Sequence, residues 1–175
     1  MSTLMPTAAV EAPPRFTTPG DGGLRIVRPT NRAAALGLTV SHLMSKPAFA
    51  ALRFGSWSQV LVGQINRGHY CLVVDDGEQV RGFLGWALCS EALADAWLTG
   101  RDFAGTAARE GDCIVFNAWS GETQAANHLV LKVARSAMLG RRLAYFRRVY
   151  PDGTSRPMRM PVNAFVSRKL AVPDL

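Results

Sequence analysis

Three histidines are the side chains best suited to proton transfer near neutral pH, and they lie far apart in the sequence. His42 precedes Ser45 by one turn of a predicted helix, so the two could share a face and act together as base and hydroxyl. His69 directly precedes a predicted strand, and His128 lies in the first turns of a later helix. Each has a structural alternative: a surface or satisfied core histidine, and for Ser45 a hydroxyl that ends a helix.

Metal chemistry is disfavoured by the spacing of the possible ligands. The histidines are separated, and the three cysteines show neither CxxC nor Cys/His spacing, so we predict no bound metal. Cys71, Cys89 and Cys113 each lie among apolar neighbours, which is typical of buried free thiols in a reducing compartment. No apolar run approaches the roughly 18 residues of a membrane span, and no signal peptide is evident. We therefore expect a cytoplasmic protein.

The formal charge of +7 is concentrated near the C-terminus. From Lys132 onward there are ten Lys or Arg against two Asp, whereas the preceding residues have ten against eleven acidic residues. Such a field attracts an acidic partner, which could be nucleic acid, anionic lipid or an acidic carrier protein. The arginines Arg141, Arg142, Arg147 and Arg148 would form that surface.

Aromatic residues interleave with these arginines, as they do in some nucleic-acid-binding proteins. Alternation along a strand gives a simpler explanation, because it places aromatics inward and arginines outward. We therefore regard nucleic acid as the less favoured partner.

The length of 175 residues predicts one domain with one core. Prolines in residues 1–30 indicate a leader outside the core, followed by the domain over residues 31–170 and a tail over 171–175. The sequence predicts a helix from Asn31 to Met44, a helical turn at Pro47, and a helix that begins at Ser56 and ends at Gly68. A hairpin follows, with strands 70–74 and 80–88 around Asp76-Gly77, and then a helix over 91–98. The remaining elements are a strand over 112–119, a helix over 124–139 and a hairpin of strands 143–150 and 156–162.

The order of these elements predicts an α/β (α+β) fold, with a mixed sheet flanked by helices and a central strand that leads into a long helix. This is the layout of the GCN5-related N-acyltransferases (GNAT), and several unrelated folds share the same order of elements. The first helix is expected to direct Ala34, Leu38, Val40 and Leu43 toward the core.

Two stretches of the sequence resemble the RTX-toxin-activating lysine acyltransferases, also called hemolysin-activating proteins. The first runs from LGLTVSHLMSKP to QINRGHYCLVVDDGEQVRGFLGWALCSEALADAWL, with a Ser/Pro step at Ser45–Pro47 and a G-F-x-x-W-A strand at 82–87. The second is GDCIVFNAW at 111–119, similar to the family's GD-x-x-x-F-x-D-W segment. Together they cover about half of the chain.

The resemblance implies a GNAT-like acyltransferase that can form a homodimer and has no permanently bound cofactor. Family members take a fatty acyl group from the phosphopantetheine of acyl carrier protein and transfer it to internal lysines of an RTX protoxin. The GNAT pyrophosphate signature is absent before the 124–139 helix, which favours a carrier-bound donor over coenzyme A. The turn at Ser120, Gly121 and Thr123 opens that helix and could hold one phosphate, or Ser120 could simply cap the helix.

The sequence departs from the family at the catalytic positions. Phe49 stands where the family has its histidine, and Ala118 where it has the partner aspartate. Neither can accept a proton from an ammonium group, so His42 or His69 would have to serve as base. Asn117 could stabilise an oxyanion or be a structural amide. The alternative function is a catalytically degenerate GNAT-like protein that still binds an acidic partner.

Overall fold

A computed structural model describes residues 23–101, 110–150, 152 and 154–162 of the chain. Its helices and strands follow the predicted order. The elements are β1 (Arg25–Val27), α1 (Arg32–Met44), α2 (Pro47–Ala50), α3 (Phe54–Arg67), β2 (Tyr70–Val74), β3 (Val80–Cys89), α4 (Glu91–Leu98), β4 (Cys113–Gly121), α5 (Gln124–Met138), β5 (Leu143–Val149) and β6 (Ser155–Pro161).

The six strands form one mixed sheet in the order β1-β2-β3-β4-β5-β6. All neighbours are antiparallel except β4 and β5, which are parallel and connected through α5. A parallel pair requires a crossover connection, and the helix expected after the central strand supplies it. The predicted mixed α/β architecture is therefore confirmed.

Strand β1 falls within the predicted leader. Arg25 to Val27 pair with Val74 to Leu72 of β2, so the expectation that the core begins near residue 31 is wrong for these three residues. Short edge strands are poorly marked in sequence because few of their side chains are buried, and all three here are only half-buried. Residues 1–22 of the leader and the predicted tail at 171–175 lie outside the described residues.

Side-chain caps define some of the helix boundaries. The Asn31 carboxamide oxygen accepts hydrogen bonds from the backbone N–H groups of Ala33 and Ala34, as predicted for the start of α1. Gly68 ends α3 with a φ of 70°, the left-handed conformation that favours glycine. The prediction for Ser56 was wrong, since α3 begins at Phe54 and Ser56 lies inside the helix.

The buried face of α1 differs from the one expected from its apolar residues. Ala34 and Leu38 are exposed, whereas Thr39 and His42 are buried together with Leu43. The Thr39 hydroxyl donates to the Ala35 carbonyl at 2.8 Å, which satisfies it without an outside partner. The rotation of α1 places an imidazole, rather than an aliphatic side chain, against the sheet.

The core lies on both faces of the sheet. On one face, α5 buries Leu129, Val130 and Ala134 against alternate residues of the central strands. On the other face, residues of α1 and α3 pack in a second cluster with Phe83 and Ala118. Helix α4 covers a third cluster on that side, at the start of β4 and β5.

Strand β4 is irregular where it passes the middle of the sheet. In the pairing with β3, Gly85 is opposite Ala118 and Trp86 is opposite Phe116, so Asn117 is left out of the register as a bulge. Pairing between β4 and β5 stops at the same level, with Phe116 opposite Phe146. Beyond it the two strands continue to Gly121 and Val149 without pairing with each other, and we name this opening the β4–β5 gap.

Cys71, Cys89 and Cys113 are buried free thiols, as predicted. Burial raises the pKa of Cys71 and Cys113 to about 12 and that of Cys89 to about 11. Among the helices of the described ranges, none combines the length and apolar character needed to cross a bilayer.

Candidate functional site

The His42 imidazole and the Ser120 hydroxyl meet at the carboxyl end of β4. Nε2 of His42 lies 3.0 Å from Oγ of Ser120, within hydrogen-bond distance. Ser120 is opposite Phe83 in the β3–β4 register, and Phe83 belongs to the cluster under α1, so the hydroxyl faces α1. The rotation of α1 described above directs His42 toward it. The sheet and α1 thus bring together two groups 78 positions apart.

The environment of His42 keeps its imidazole neutral. Burial lowers the pKa of His42 below its ordinary value of 6.5, and the nearby Lys46 ammonium lowers it further. Glu122 and a hydrogen bond to the Val80 carbonyl act in the opposite direction but do not outweigh them. A neutral imidazole has one nitrogen lone pair available to accept a proton. The site therefore contains a base at physiological pH.

Glu122 connects the histidine to a chain of charges. Its Oε1 lies 3.8 Å from Nδ1 of His42 and 2.6 Å from the Lys46 ammonium, and its Oε2 lies 3.2 Å from Arg81. Arg81 in turn donates to Asp75 at 2.8 Å. Lys46 contributes most to holding the pKa of Glu122 below its usual 4.5. The carboxylate is thus ionised and fixed beside the imidazole.

Ser45 does not occupy the position expected for a partner of the His42 ring. Its hydroxyl donates to the backbone carbonyl of His42 at 2.8 Å, at the end of α1. One helical turn brings Ser45 near the peptide of His42, whereas the ring points away toward the sheet. Ser120 takes the place predicted for Ser45, which has its structural role instead.

Asn117, the bulged residue of β4, is held by a buried glutamine. Nε2 of Gln64 donates to Oδ1 of Asn117, and Oε1 of Gln64 has no hydrogen-bond partner within the described residues. Gly85 provides the space, because a Cβ there would lie 2.5 Å from Oε1 of Gln64. With its oxygen engaged, Asn117 retains its amide N–H groups as donors near the gap.

Phe49 and Ala118 mark the place where the resembling family has its histidine and aspartate. Ala118 is buried in the cluster under α1, and Phe49 packs against the same cluster. The apolar pair thus fills this region, and Ala118 lies two residues before Ser120 on the strand.

His69 lies elsewhere, on the face of the sheet that α5 covers. Its ring stacks on Trp86 at 5.9 Å, and its Nδ1 is buried without a hydrogen-bond partner in the described structure. Burial lowers the pKa of His69, with Arg67, Arg141 and Arg28 adding to the effect. An open groove of about 760 Å³ runs beside it along α3. His69 does not join His42 and Ser120.

His128 is exposed on α5, apart from both other histidines. Within the described ranges, no group of three or more His, Cys, Asp or Glu side chains could hold a metal ion.

The start of α5 is shaped by Gly121 and Thr123. The Thr123 hydroxyl accepts from the Ala126 N–H at 3.1 Å, so Thr123, not Ser120, caps the helix. A Cβ on Gly121 would lie 2.8 Å from Cα of Asn127, so glycine allows β4 to approach the first turn closely. The positive end of the α5 dipole therefore lies beside the end of β4.

The four predicted arginines do not form one surface. Arg141 donates to the Gly111 carbonyl at 3.0 Å, and Arg142 contacts Asp112 and Glu91 at 2.6 Å each, all at the amino ends of β4 and β5. They lie at the opposite end of these strands from Ser120.

Arg147 and Arg148 lie at the carboxyl end of β5, beside the gap. Arg147 donates to the Trp97 carbonyl at 2.6 Å and thereby holds the end of α4. Arg148 stacks over Tyr150 and lies opposite Arg156 of β6, both exposed. Arg148 and Arg156 are thus an exposed basic pair beside the gap, and Arg156 was not predicted.

Sequence reasoning named His42 and Ser120 but did not pair them, and it assigned no role to Glu122. The only local signal was a polar turn, Ser120 to Thr123, at the end of a buried strand, which we interpreted as a phosphate-binding or capping turn.

Comparison with known proteins identifies the class of fold. The loading GNATL domain of CurA from Lyngbya majuscula superposes with a TM-score of 0.52, at 9% sequence identity, over 74% of this chain and 68% of that chain. No family model and no curated protein matches the sequence. The chain thus has a GNAT-like fold.

Proposed function

We propose that the protein transfers a fatty acyl group from acyl-acyl-carrier protein to the side-chain amine of a protein lysine. The observation that carries this proposal is the contact of 3.0 Å between Nε2 of His42 and Oγ of Ser120. A neutral imidazole with a hydroxyl partner, at the end of the central strand of a GNAT-like sheet, can move the proton that acyl transfer to an amine must release.

The β4–β5 gap is the place for the donor. Residues 117–121 of β4 and 147–149 of β5 do not pair with each other, so an extended pantetheine arm could bind between them through the backbone. Its thioester would then lie close to Ser120. Asn117 lies on the same edge and could stabilise the oxyanion of the tetrahedral intermediate through its amide N–H groups.

The exposed Arg148–Arg156 pair supports an acidic carrier as the donor's protein. Like charges directly opposite each other on neighbouring strands are unfavourable, and an anionic partner relieves the repulsion. Their position beside the gap would bring the carrier's phosphopantetheine to its opening. The sequence resemblance to the RTX-toxin-activating acyltransferases supports an RTX-type protoxin as the acceptor.

A second function is favoured by one observation. Phe49 and Ala118 fill the positions of the family's catalytic pair with apolar side chains. If His42 and Ser120 perform no chemistry, the chain is a catalytically degenerate relative that binds the carrier through its basic edge.

An assay of acyl transfer to a protein lysine distinguishes the active acyltransferase from the degenerate relative. The full chain is incubated with palmitoyl-acyl carrier protein and a candidate RTX protein, and the acceptor's lysine-containing peptides are weighed by mass spectrometry. We expect acylated lysines with the wild type and at least about 100-fold slower acylation with His42→Gln. Tight carrier binding without lysine acylation would support the degenerate relative instead.

A further inference from the structure

The His42 ring is shielded from solvent by its own partners. Its side chain is 2% exposed, whereas Ser120, at the end of β4, is only partly buried. The Nε2 atom, which would have to accept a proton from an incoming amine, already faces Oγ of Ser120 at 3.0 Å. An acceptor approaching from solvent therefore reaches the hydroxyl before the imidazole.

The three side chains are ordered as in a nucleophile, base and carboxylate relay. Ser120 contacts Nε2 of His42, and Glu122 lies 3.8 Å from Nδ1 on the other side of the ring. The ring also donates to the Val80 carbonyl, and because Nε2 faces Ser120 this donor is Nδ1, which leaves the Nε2 lone pair for the serine. Glu122 is beyond hydrogen-bond distance of Nδ1 and adds its charge alone. Because Lys46 and Arg81 fix Glu122, it acts as a positioning residue.

We propose that Ser120 is a nucleophile that takes the acyl group from the donor thioester as an O-acyl ester before passing it on, with His42 as its base. This inference rests on the proposed acyl transfer and specifies its route as a double displacement.

Both half-reactions balance without an oxidant or reductant. In the first, Oγ of Ser120 bonds to the thioester carbonyl carbon while its proton passes to Nε2 of His42. The C–S bond breaks, its electron pair stays on sulfur, and the sulfur leaves as a thiol with the proton from His42. In the second, a neutral lysine amine attacks the ester carbon, the C–O bond breaks, and His42 moves a proton from the amine to Oγ.

The test omits the acceptor. The full chain is mixed with palmitoyl- or octanoyl-acyl carrier protein, quenched in acid, and its intact mass is measured. We expect one acyl adduct, which peptide mapping places on Ser120 and which alkaline but not neutral hydroxylamine removes, as for an oxygen ester. Ser120→Ala should form no adduct, and Ser120→Cys should form one that neutral hydroxylamine cleaves. Ser136→Ala, which removes an exposed hydroxyl of α5, should behave as the wild type.

The outcomes separate this inference from the proposed function. Lysine acylation by Ser120→Ala at the wild-type rate, or acylation by the wild type without any adduct on Ser120, would overturn the double displacement and leave acyl transfer standing. An adduct on Ser120 without lysine acylation would support the nucleophile and contradict the lysine acceptor. If the wild type forms neither adduct nor product from either donor, both proposals fail. Ser120→Cys keeps the test valid if Ser120→Ala does not fold.

Discussion

The Lys46 ammonium and the Glu122 carboxylate form an ion pair of 2.6 Å that lies against the His42 imidazole. The two charges have opposite effects on the histidine, and Lys46 has the larger one. Burial is the main cause of the lowered pKa of His42, and the ion pair fixes the carboxylate while its lysine adds to the effect of burial.

Replacing this lysine should make the site more sensitive to acid. Lys46→Met removes the ammonium that lowers the pKa of His42 and frees Glu122, which raises it. The acid limb of the pH profile of kcat/KM for acyl transfer should move to higher pH. Lys132→Met, on α5 across the sheet, is the control and should leave the limb in place. An unchanged profile for Lys46→Met would show that His42 does not limit the reaction in acid.

Stability should fall as the solution becomes mildly acidic. The pKa values of His42 and His69 are below 6.5 in the folded protein, so between pH 6.5 and pH 5 the unfolded chain binds more protons at these positions. The free energy of unfolding is then highest above pH 6.5 and decreases as the pH falls below it. Urea unfolding at pH 7.5 and 5 should show this loss. The double variant His42→Gln/His69→Gln should show a smaller difference between the two pH values, and an equal difference would refute the assignment.

Gly121→Ala should loosen the junction of β4 and α5. The added Cβ would lie 2.8 Å from Cα of Asn127, which is backbone and can move only with the helix. We expect a loss of about 1–3 kcal/mol in the free energy of unfolding. Gly37→Ala in α1 is the matched control, because nothing lies within 4 Å of its Cβ and alanine favours a helix. Denaturant unfolding of both variants checks the difference, and similar values would contradict the close approach.

The thiols should be inert in the native protein. Their pKa values of about 11 to 12 leave almost no thiolate at pH 8, and all three are buried. Titration with a thiol-specific chromogenic disulfide should detect no fast-reacting group in the folded chain and three in guanidinium chloride. A fast thiol in the native state would mean that at least one cysteine is reachable.

Substitutions at the Arg148–Arg156 pair and at Arg147 should affect carrier binding and stability differently. Arg148→Gln/Arg156→Gln removes an exposed pair with opposed like charges, so carrier affinity should fall while stability is kept or rises. Arg147→Gln should instead lower stability by about 1 kcal/mol, because it removes the guanidinium that bonds the Trp97 and Leu98 carbonyls and stacks over the Trp97 ring. Calorimetric titration with acyl carrier protein at low and moderate salt, together with thermal unfolding, measures both. Unchanged affinity for the double variant would place the carrier elsewhere.

Local features of the fold were predictable because they depend on short-range chemistry. The cap at Asn31 and the stop at Gly68 needed only neighbouring residues. The hairpin between β2 and β3 formed around Asp76-Gly77 as expected, yet the positive φ of 61° falls on Glu78. Asp75 explains the difference, since its side chain accepts from the Gln79 N–H and holds a longer turn.

The site was less predictable because it depends on the rotation of α1. Apolar periodicity favoured a face with Leu38, but the helix buries Thr39 and His42 and leaves Leu38 exposed. A buried imidazole is stable there because Ser120 and the Val80 carbonyl, both from distant parts of the chain, satisfy it. Neither the sequence of α1 nor that of β4 alone indicates that His42 and Ser120 meet.

The separation of β4 from β5 beyond Phe116 has an evolutionary consequence. A ligand that lies in this opening would be recognised through hydrogen bonds to backbone N–H and C=O groups. Every sequence with the same backbone possesses these groups. Side chains around it are then free to change identity, so substitutions that keep the backbone in place should also keep the opening. A scaffold of this kind tolerates the exchange of its chemistry.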